Sequence, residues 1–143
     1  MVGLKKLALP GSLWTVIEAD VRKKYPQEAC GLLAGCCRDN VYQAQAVFPM
    51  ENILHSSNRF RLDPQQQIDR LFFIQSQNLE LIAIYHSHPQ GGIKPSETDR
   101  VEAYDPGVVT LIWHPAGDRW ECRAYIFDTH GFEEIPIDIQ QAA

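Results

Sequence analysis

The sequence predicts a mixed β-sheet flanked by helices, an α/β or α+β sandwich. Two segments repeat apolar residues at helical spacing, and several short apolar runs have the length of strands. Helical and strand segments follow one another along the chain, which favours helices packed on a sheet. The 143 residues, 45% hydrophobic and 22% charged, are typical of one globular unit, so residues 1–143 are expected to form a single domain.

The first helix is predicted from Leu13 to Lys24. Ser12 is its expected N-cap, because a hydroxyl oxygen can accept from the free N–H groups of the first turn. Pro26 prevents the helix from continuing. The apolar stripe that would face the sheet consists of Leu13, Val16, Ile17 and Val21.

Two strands are predicted next, over Ala29–Ala34 and Val41–Phe48, joined by a hairpin link. A polar connection then leads to the second helix, which Asp63 caps and Pro64 opens. Apolar spacing predicts an inner face for this helix made of Ile68, Leu71, Phe72 and Gln75, widened by Phe73 and Ile74.

The most hydrophobic run, Leu79–Tyr85, is expected to be a central strand. A glycine-containing loop follows it. The later elements are predicted to be a short helix over Ser96–Tyr104 and strands over Val108–Trp113, Trp120–Phe127 and Phe132–Ile137.

Composition excludes several classes of function. Thirteen basic and 18 acidic residues leave a net charge of -5, so a nucleic-acid partner is not expected. No apolar run approaches the ~20 residues of a membrane span, and Met1–Pro10 is too short for a signal peptide, so a cytoplasmic location is expected. The cysteines form no CxxC pair and are expected to be mostly buried apolar residues: Cys30, Cys36, Cys37 and Cys122.

A metal site is predicted where the central strand ends. His86 and His88 are two positions apart, so on a strand they share one face with Cα atoms about 6.6–6.8 Å apart. The loop with Gly91 and Gly92 lets the chain return, and Asp99 in the next helix can reach the same ion. Two imidazoles and one carboxylate leave one open position for water, which is typical of a catalytic zinc.

Two further residues complete the predicted chemistry. Glu28, just before a buried strand, could take a proton from the attacking water and pass it to the leaving amine. Ser96 could donate a hydrogen bond to the oxyanion of the tetrahedral intermediate. Each also has a simpler explanation, since Ser96 is a suitable helix cap and Glu28 could be a solvated carboxylate at a strand edge.

The other polar candidates carry weaker signals. His55, His114 and His130 have no ligand partner at useful spacing and are expected to be structural or exposed. The polar connection holds a further group of candidates. These are expected to be turn residues, some within reach of a substrate: Asn52, Ser57 and Arg59.

Together, Glu28, the run His86-Ser87-His88-Pro89 and the run Ser96-Glu97-Thr98-Asp99 resemble the JAMM (MPN-plus) motif. That motif is a distant Glu, H-x-H, seven residues and S-x-x-D, and every position matches. The resemblance implies a cytidine-deaminase-like α/β/α fold and a zinc-dependent isopeptidase or peptidase. It also implies that His86, His88 and Asp99 hold Zn²⁺, that Glu28 is general base and acid, and that Ser96 steadies the tetrahedral intermediate.

In its short length the chain resembles the compact prokaryotic members of this family. Some of these remove a C-terminal cysteine or extension from a small ubiquitin-like sulfur-carrier protein. The expected substrate partner is therefore the C-terminal tail of such a protein, lying extended along a sheet edge. By proximity in sequence, residues His55–Leu62 and Gln90–Lys94 are the candidate walls of its groove. A homodimer is the default oligomeric expectation.

Three rival functions are considered. A non-catalytic MPN-type scaffold would share the fold but lacks the ligands that this chain keeps. A cysteine hydrolase using Cys30 and His86 would need an exposed, activated thiol, whereas Cys30 lies in an apolar run. A zinc deaminase would need H-x-E and P-C-x-x-C, and neither is present.

Overall fold

A computed structural model describes residues 4–96, 99 and 107–141 of the chain. In this part of the chain eight strands form one sheet, and two helices pack against it. The elements are β1 (Lys6–Pro10), α1 (Gly11–Lys24), β2 (Cys30–Arg38), β3 (Val41–Met50), α2 (Pro64–Ser76), β4 (Glu80–Ser87), β5 (Val109–Ala116), β6 (Arg119–Asp128), β7 (Gly131–Ile135) and β8 (Ile137–Gln140).

The strand order is β7-β6-β5-β4-β2-β3-β1-β8. The sheet is mixed, since β4 runs parallel to β5, and β1 runs parallel to both β3 and β8. The remaining neighbours are antiparallel. The predicted mixed sheet is therefore confirmed, with the most hydrophobic strand, β4, in its interior.

The two helices cover opposite faces of the sheet. On one face, Ile17 and Val21 of α1 pack into a core that includes Tyr85 of β4. On the other, Ile74 of α2 packs into a second core, against which Ile84 of β4 lies. Because side chains alternate along a strand, the face opposite α1 is also the face that receives His86. This layering is the predicted α/β/α sandwich.

The sheet curls until its two edges approach each other. The outermost strands, β7 and β8, are separated in sequence by Pro136 alone. The N–H of Leu7 in β1 donates to the Pro136 carbonyl at 3.0 Å, which ties the two edges together. Ile135 and Ile137, one from each edge strand, both pack on the core beneath α1. The prediction of a single strand over Phe132–Ile137 was wrong, because the chain forms two strands there, β7 and β8, on either side of Pro136. Proline lacks the N–H that a continuous ladder needs.

Several boundaries also differ from prediction. Strand β1 was not predicted, since five residues carry too little pattern without their partners in β3 and β8. Helix α1 begins at Gly11 with Pro10 as its N-cap and no side-chain cap bond, so Ser12 is not the cap. The Asp63 cap of α2 is confirmed, because its side chain accepts from two N–H groups of the first turn. The predicted helix Ser96–Tyr104 lies largely outside the described residues, although Asp99 is helical.

The inner face predicted for α2 was wrong in part. Ile74 is 2% exposed and Leu71 half-buried, whereas Ile68 and Phe72 are 48% and 68% exposed. Apolar residues lie almost all round this helix, so periodicity could not select the face that docks on β4.

The expectation that the cysteines are mostly buried was also wrong. Of the four, only Cys30 is fully buried, and Cys37 is exposed. None of the described helices is long and apolar enough to span a membrane.

Candidate metal centre

The candidate site lies where β4 ends beside the start of β2. These strands are antiparallel, and Cys30 of β2 lies opposite His86 of β4. The chain beyond β4 is held by β5, because the His88 N–H donates to the Trp113 carbonyl at 2.7 Å. Glu28 comes two residues before β2 and is therefore carried to the same end of the sheet.

Three side chains converge at this point. The Nε2 atoms of His86 and His88 are 3.0 Å apart. Asp99 completes the group, with Oδ1 3.1 Å from His86 Nε2 and Oδ2 3.0 Å from His88 Nε2. Ligands around one tetrahedral ion with bonds of about 2.0–2.2 Å lie roughly 3.3 Å from each other. The three residues could thus hold one metal ion.

The proton positions on the imidazoles favour a cation. His88 Nδ1 lies 2.7 Å from the Gly92 carbonyl, and a carbonyl only accepts, so Nδ1 carries the hydrogen. In neutral His88 the Nε2 lone pair then faces both His86 Nε2 and an Asp99 oxygen. His86 Nδ1 is buried with no hydrogen-bond partner in the described part of the chain. A proton or a metal ion between these atoms would relieve this repulsion, and two imidazoles with a carboxylate are a donor set that suits zinc.

The titration of the three groups is set by burial and mutual contact. Burial lowers the pKa of His86, which favours its neutral, metal-binding form. Burial opposes the charged form of His88 too, but the hydrogen bonds to Asp99 and Gly92 outweigh it and raise the pKa. Burial also opposes ionisation of Asp99, yet the hydrogen bonds to both imidazoles hold its pKa well below the usual range. The carboxylate is therefore ionised at neutral pH.

Ser96 and Asp99 hold each other in place. The Ser96 N–H donates to Asp99 Oδ2 at 2.8 Å, and the Asp99 N–H donates to Ser96 Oγ at 3.0 Å. This reciprocal pair is a helix-capping arrangement, so it orients the carboxylate toward the imidazoles. Since Oγ acts as the acceptor, its own hydrogen is left for another acceptor.

Glu28 lies beside the ligands in a desolvated position. Its residue is 4% exposed, and it lines one cavity together with His88, Ser96 and Asp99. Burial raises its pKa from 4.5 to about 7, with His88 opposing the shift and Asp99 adding to it. A carboxyl group with this pKa can both accept and release a proton near neutral pH.

Phe60 is a wall residue that the sequence placed within a candidate groove wall but did not single out. Its ring stacks on the His86 imidazole with centroids 4.6 Å apart and planes at 20°. It borders two cavities that meet at Asp99, one reaching Gln67 of α2 and the other containing Glu28. The only sequence signal was its place within the candidate stretch 55–62.

Of the remaining candidate residues, some line a cavity of the site and others lie outside it. Ser57 and Arg59 line the cavity that contains Glu28. Asn52, expected to be a turn residue, is buried, with 4% of its surface exposed, and it lines neither cavity. Among the described residues the group that could hold a metal ion contains none of the other histidines. Two of them pair with acidic side chains, His55 with Glu51 at 3.7 Å and His114 with Glu121 at 3.8 Å.

Comparison with known proteins gives consistent matches. Residues 10–125 match the family model described as prokaryotic homologs of the JAB domain. A desampylase of Haloferax volcanii is 37% identical over 116 residues, covering 80% of each chain. A CysO-cysteine peptidase of Mycobacterium tuberculosis is 28% identical over 134 residues, covering 93% of this chain and 90% of that protein. The solution structure of a protein from Desulfitobacterium hafniense superposes with a TM-score of 0.86 at 26% identity, covering 95% and 94% of the two chains.

Proposed function

The chain belongs to the family of prokaryotic homologues of the JAB domain and is a peptidase of that family, and we propose that it is a zinc enzyme acting on a small ubiquitin-like or sulfur-carrier protein. It hydrolyses the bond that follows the C-terminus of that carrier. The observation that supports this most directly is the convergence of three ligand atoms, two of whose residues, His88 and Asp99, line one cavity with the buried carboxyl group of Glu28. The names of the relatives, a desampylase and a CysO-cysteine peptidase, supply the substrate class.

In this proposal His86, His88 and Asp99 hold Zn²⁺, which supplies a Lewis acid that activates water at neutral pH. Glu28 takes the proton from the attacking water as a general base. The same carboxyl group then gives that proton to the leaving amine as a general acid, a role that its burial supports because burial favours the protonated form. Ser96 donates its Oγ hydrogen to the oxyanion of the tetrahedral intermediate, because its oxygen already accepts from Asp99.

The two cavities that meet at Asp99 fit a substrate that crosses the ligand set. We assign one of the two cavities to the extended tail of the carrier and the other cavity to the leaving group. Phe60 borders both, so it excludes water from the imidazole beneath it and limits side-chain bulk near the scissile bond. A glycine tail has no side chains and would pass this narrow point.

The test compares three variants on a ubiquitin-like protein whose C-terminal Gly-Gly is joined to a fluorescent lysine peptide. Glu28→Gln should keep stoichiometric zinc and lose hydrolysis, whereas His88→Ala should lose both. Ser96→Ala should keep zinc and lower kcat by about 10²–10³-fold if the hydroxyl serves the oxyanion. Cleavage by Glu28→Gln at the parent rate would show that another group moves the proton.

The rival functions give different outcomes. A non-catalytic scaffold would bind metal or carrier without cleaving it. A cysteine hydrolase would need a thiolate at Cys30, but this residue is 0% exposed and burial raises its pKa to about 12. Four free cysteines favour a reducing compartment, so we also propose a cytoplasmic location. The homodimer stays a prediction.

A further inference from the structure

Asn52 is a buried amide whose hydrogen-bonding positions are all taken by backbone groups. Its Nδ2 donates to the carbonyls of Glu28 at 3.1 Å and Arg59 at 2.9 Å. Its Oδ1 accepts from the N–H groups of Leu54 and Arg61, both at 3.1 Å. A carboxamide offers two donors and two acceptor lone pairs, so this side chain has nothing left to offer a substrate.

The backbone around Glu28 depends on such contacts because it precedes the ladder of β2. The Glu28 N–H donates to the Ser56 carbonyl at 2.8 Å, and its carbonyl accepts from Asn52. The next residue, Ala29, donates its N–H to Ser87 Oγ at 2.8 Å and accepts from the Ser87 N–H at 3.0 Å. Glu28 is thus fixed between the strand that carries the histidines and the loop that Asn52 closes.

The same amide also fixes the cavity wall. Arg59 and Arg61, whose backbones it binds, flank Phe60 in sequence. Phe60 stacks on His86, so a shift of this loop would move the wall relative to the ligands. Asn52 itself lines neither of the two cavities.

We propose that Asn52 is a positioning residue that sets the distance of the Glu28 carboxyl group from the metal ligands. The inference rests on the proposed function, because it requires Glu28 to carry the proton. Side-chain rotation alone does not compensate for a displaced Cα, and a misplacement of about 1 Å can lower a rate by about 100-fold. Asn52 itself lines neither cavity, and a carboxylate in its place would still accept from the Arg61 N–H beside Phe60, so we expect the chemical step to change more than substrate binding.

The decisive variant is Asn52→Asp, which is nearly isosteric. When ionised, it keeps the acceptor bonds to Leu54 and Arg61 and loses both donors, so the Glu28 carbonyl is released. On the fluorescent Gly-Gly-lysine probe we expect kcat to fall about 10- to 100-fold while KM stays within about two-fold and bound zinc is unchanged. Asn52→Ala should act in the same direction, and where it does not fold, Asn52→Asp decides.

The matched control is Ile135→Ala, which removes a core side chain that is 3% exposed and lies on the α1 face of the sheet. It lowers stability without touching the loop. At a temperature where both proteins are folded, its kcat should equal that of the parent. A parent-like kcat in Asn52→Asp, or a loss of zinc or a rise in KM that accounts for its lower activity, would overturn the inference.

A double-mutant comparison separates an effect through Glu28 from a general loosening. In a Glu28→Asp background the carboxyl group is already displaced by one methylene, so Asn52→Asp should lower kcat by a smaller factor than in the parent. An equal factor in both backgrounds would refute action through Glu28. If Glu28→Gln were fully active, the proton role proposed for Glu28 would fail, whereas an inactive Glu28→Gln beside a fully active Asn52→Asp would refute this inference alone.

Discussion

Replacing Glu28 by Gln should stabilise the metal-free protein at high pH, even though it removes the proposed catalytic group. Burial raises the pKa of this carboxyl group from 4.5 to about 7. Below pH 4.5 it is mostly protonated in both the folded and the unfolded chain, so it does not make the free energy of unfolding depend on pH. As pH rises to about 7, the unfolded chain ionises first and the folded state loses relative stability. Above that pH the loss in the free energy of unfolding is constant. It amounts to about 3 kcal/mol, because each pKa unit corresponds to about 1.4 kcal/mol.

The assay is denaturant unfolding of parent and Glu28→Gln at pH 4 and pH 8 with a chelator present. The difference in the free energy of unfolding should be near zero at pH 4 and reach about 3 kcal/mol in favour of Gln at pH 8. Glu133→Gln, an exposed substitution, is the control and should change stability by less than about 0.5 kcal/mol. Adding zinc should shrink the difference, because a nearby cation stabilises the carboxylate. A difference independent of pH, or a less stable Gln variant at pH 8, would refute the desolvation argument.

Three further outcomes are expected. A Cβ on Gly31 would overlap the Tyr85 ring, so Gly31→Ala should lower the free energy of unfolding by about 1–3 kcal/mol. Gly35→Ala should cost more because it meets the Gln43 carbonyl, while Gly11→Ala, which makes only ordinary contact, should be tolerated; equal melting curves for all three would contradict the packing. Iodoacetamide should modify exposed Cys37, spare buried Cys30 and leave hydrolysis intact, as peptide mapping with an activity assay would show. Zinc at 100 times its Kd should stabilise the parent by about 2.7 kcal/mol and leave His88→Ala unchanged, and a parent melting curve insensitive to zinc would contradict the ligand set.

Much of the ligand set could be predicted because its information is local. His86 and His88 share a face through the period of a strand, and their spacing to Ser96 and Asp99 matches a known motif. The Asp63 cap of α2 was likewise readable, because a cap acts on N–H groups within its own first turn. The proposed roles of Glu28 and Ser96 stay predictions until the variants are measured.

The parts that could not be predicted depend on partners distant in sequence. Strand β1 becomes a strand only between β3 and β8, and β8 only because the sheet curls back on β1. The face of α2 that docks on β4 was hidden because its apolar residues surround the helix. Within the candidate stretch 55–62 nothing singled out Phe60, since an aromatic residue in a polar loop gains its role only from the imidazole beneath it.

The sequence by itself therefore determined which side chains form the candidate ligand set, because spacing along a strand and into the next helix controls which side chains can meet. Only the tertiary structure decided how those atoms behave. Burial of Glu28, which raises its pKa to about 7, follows from the packing of β2, β4 and the 52–61 loop around it. Asn52 is a second example. The sequence does not show which groups its side chain contacts, whereas in the structure it forms hydrogen bonds with four backbone groups. Desolvation and hydrogen-bond geometry are properties of the assembled surroundings, and no local pattern encodes them.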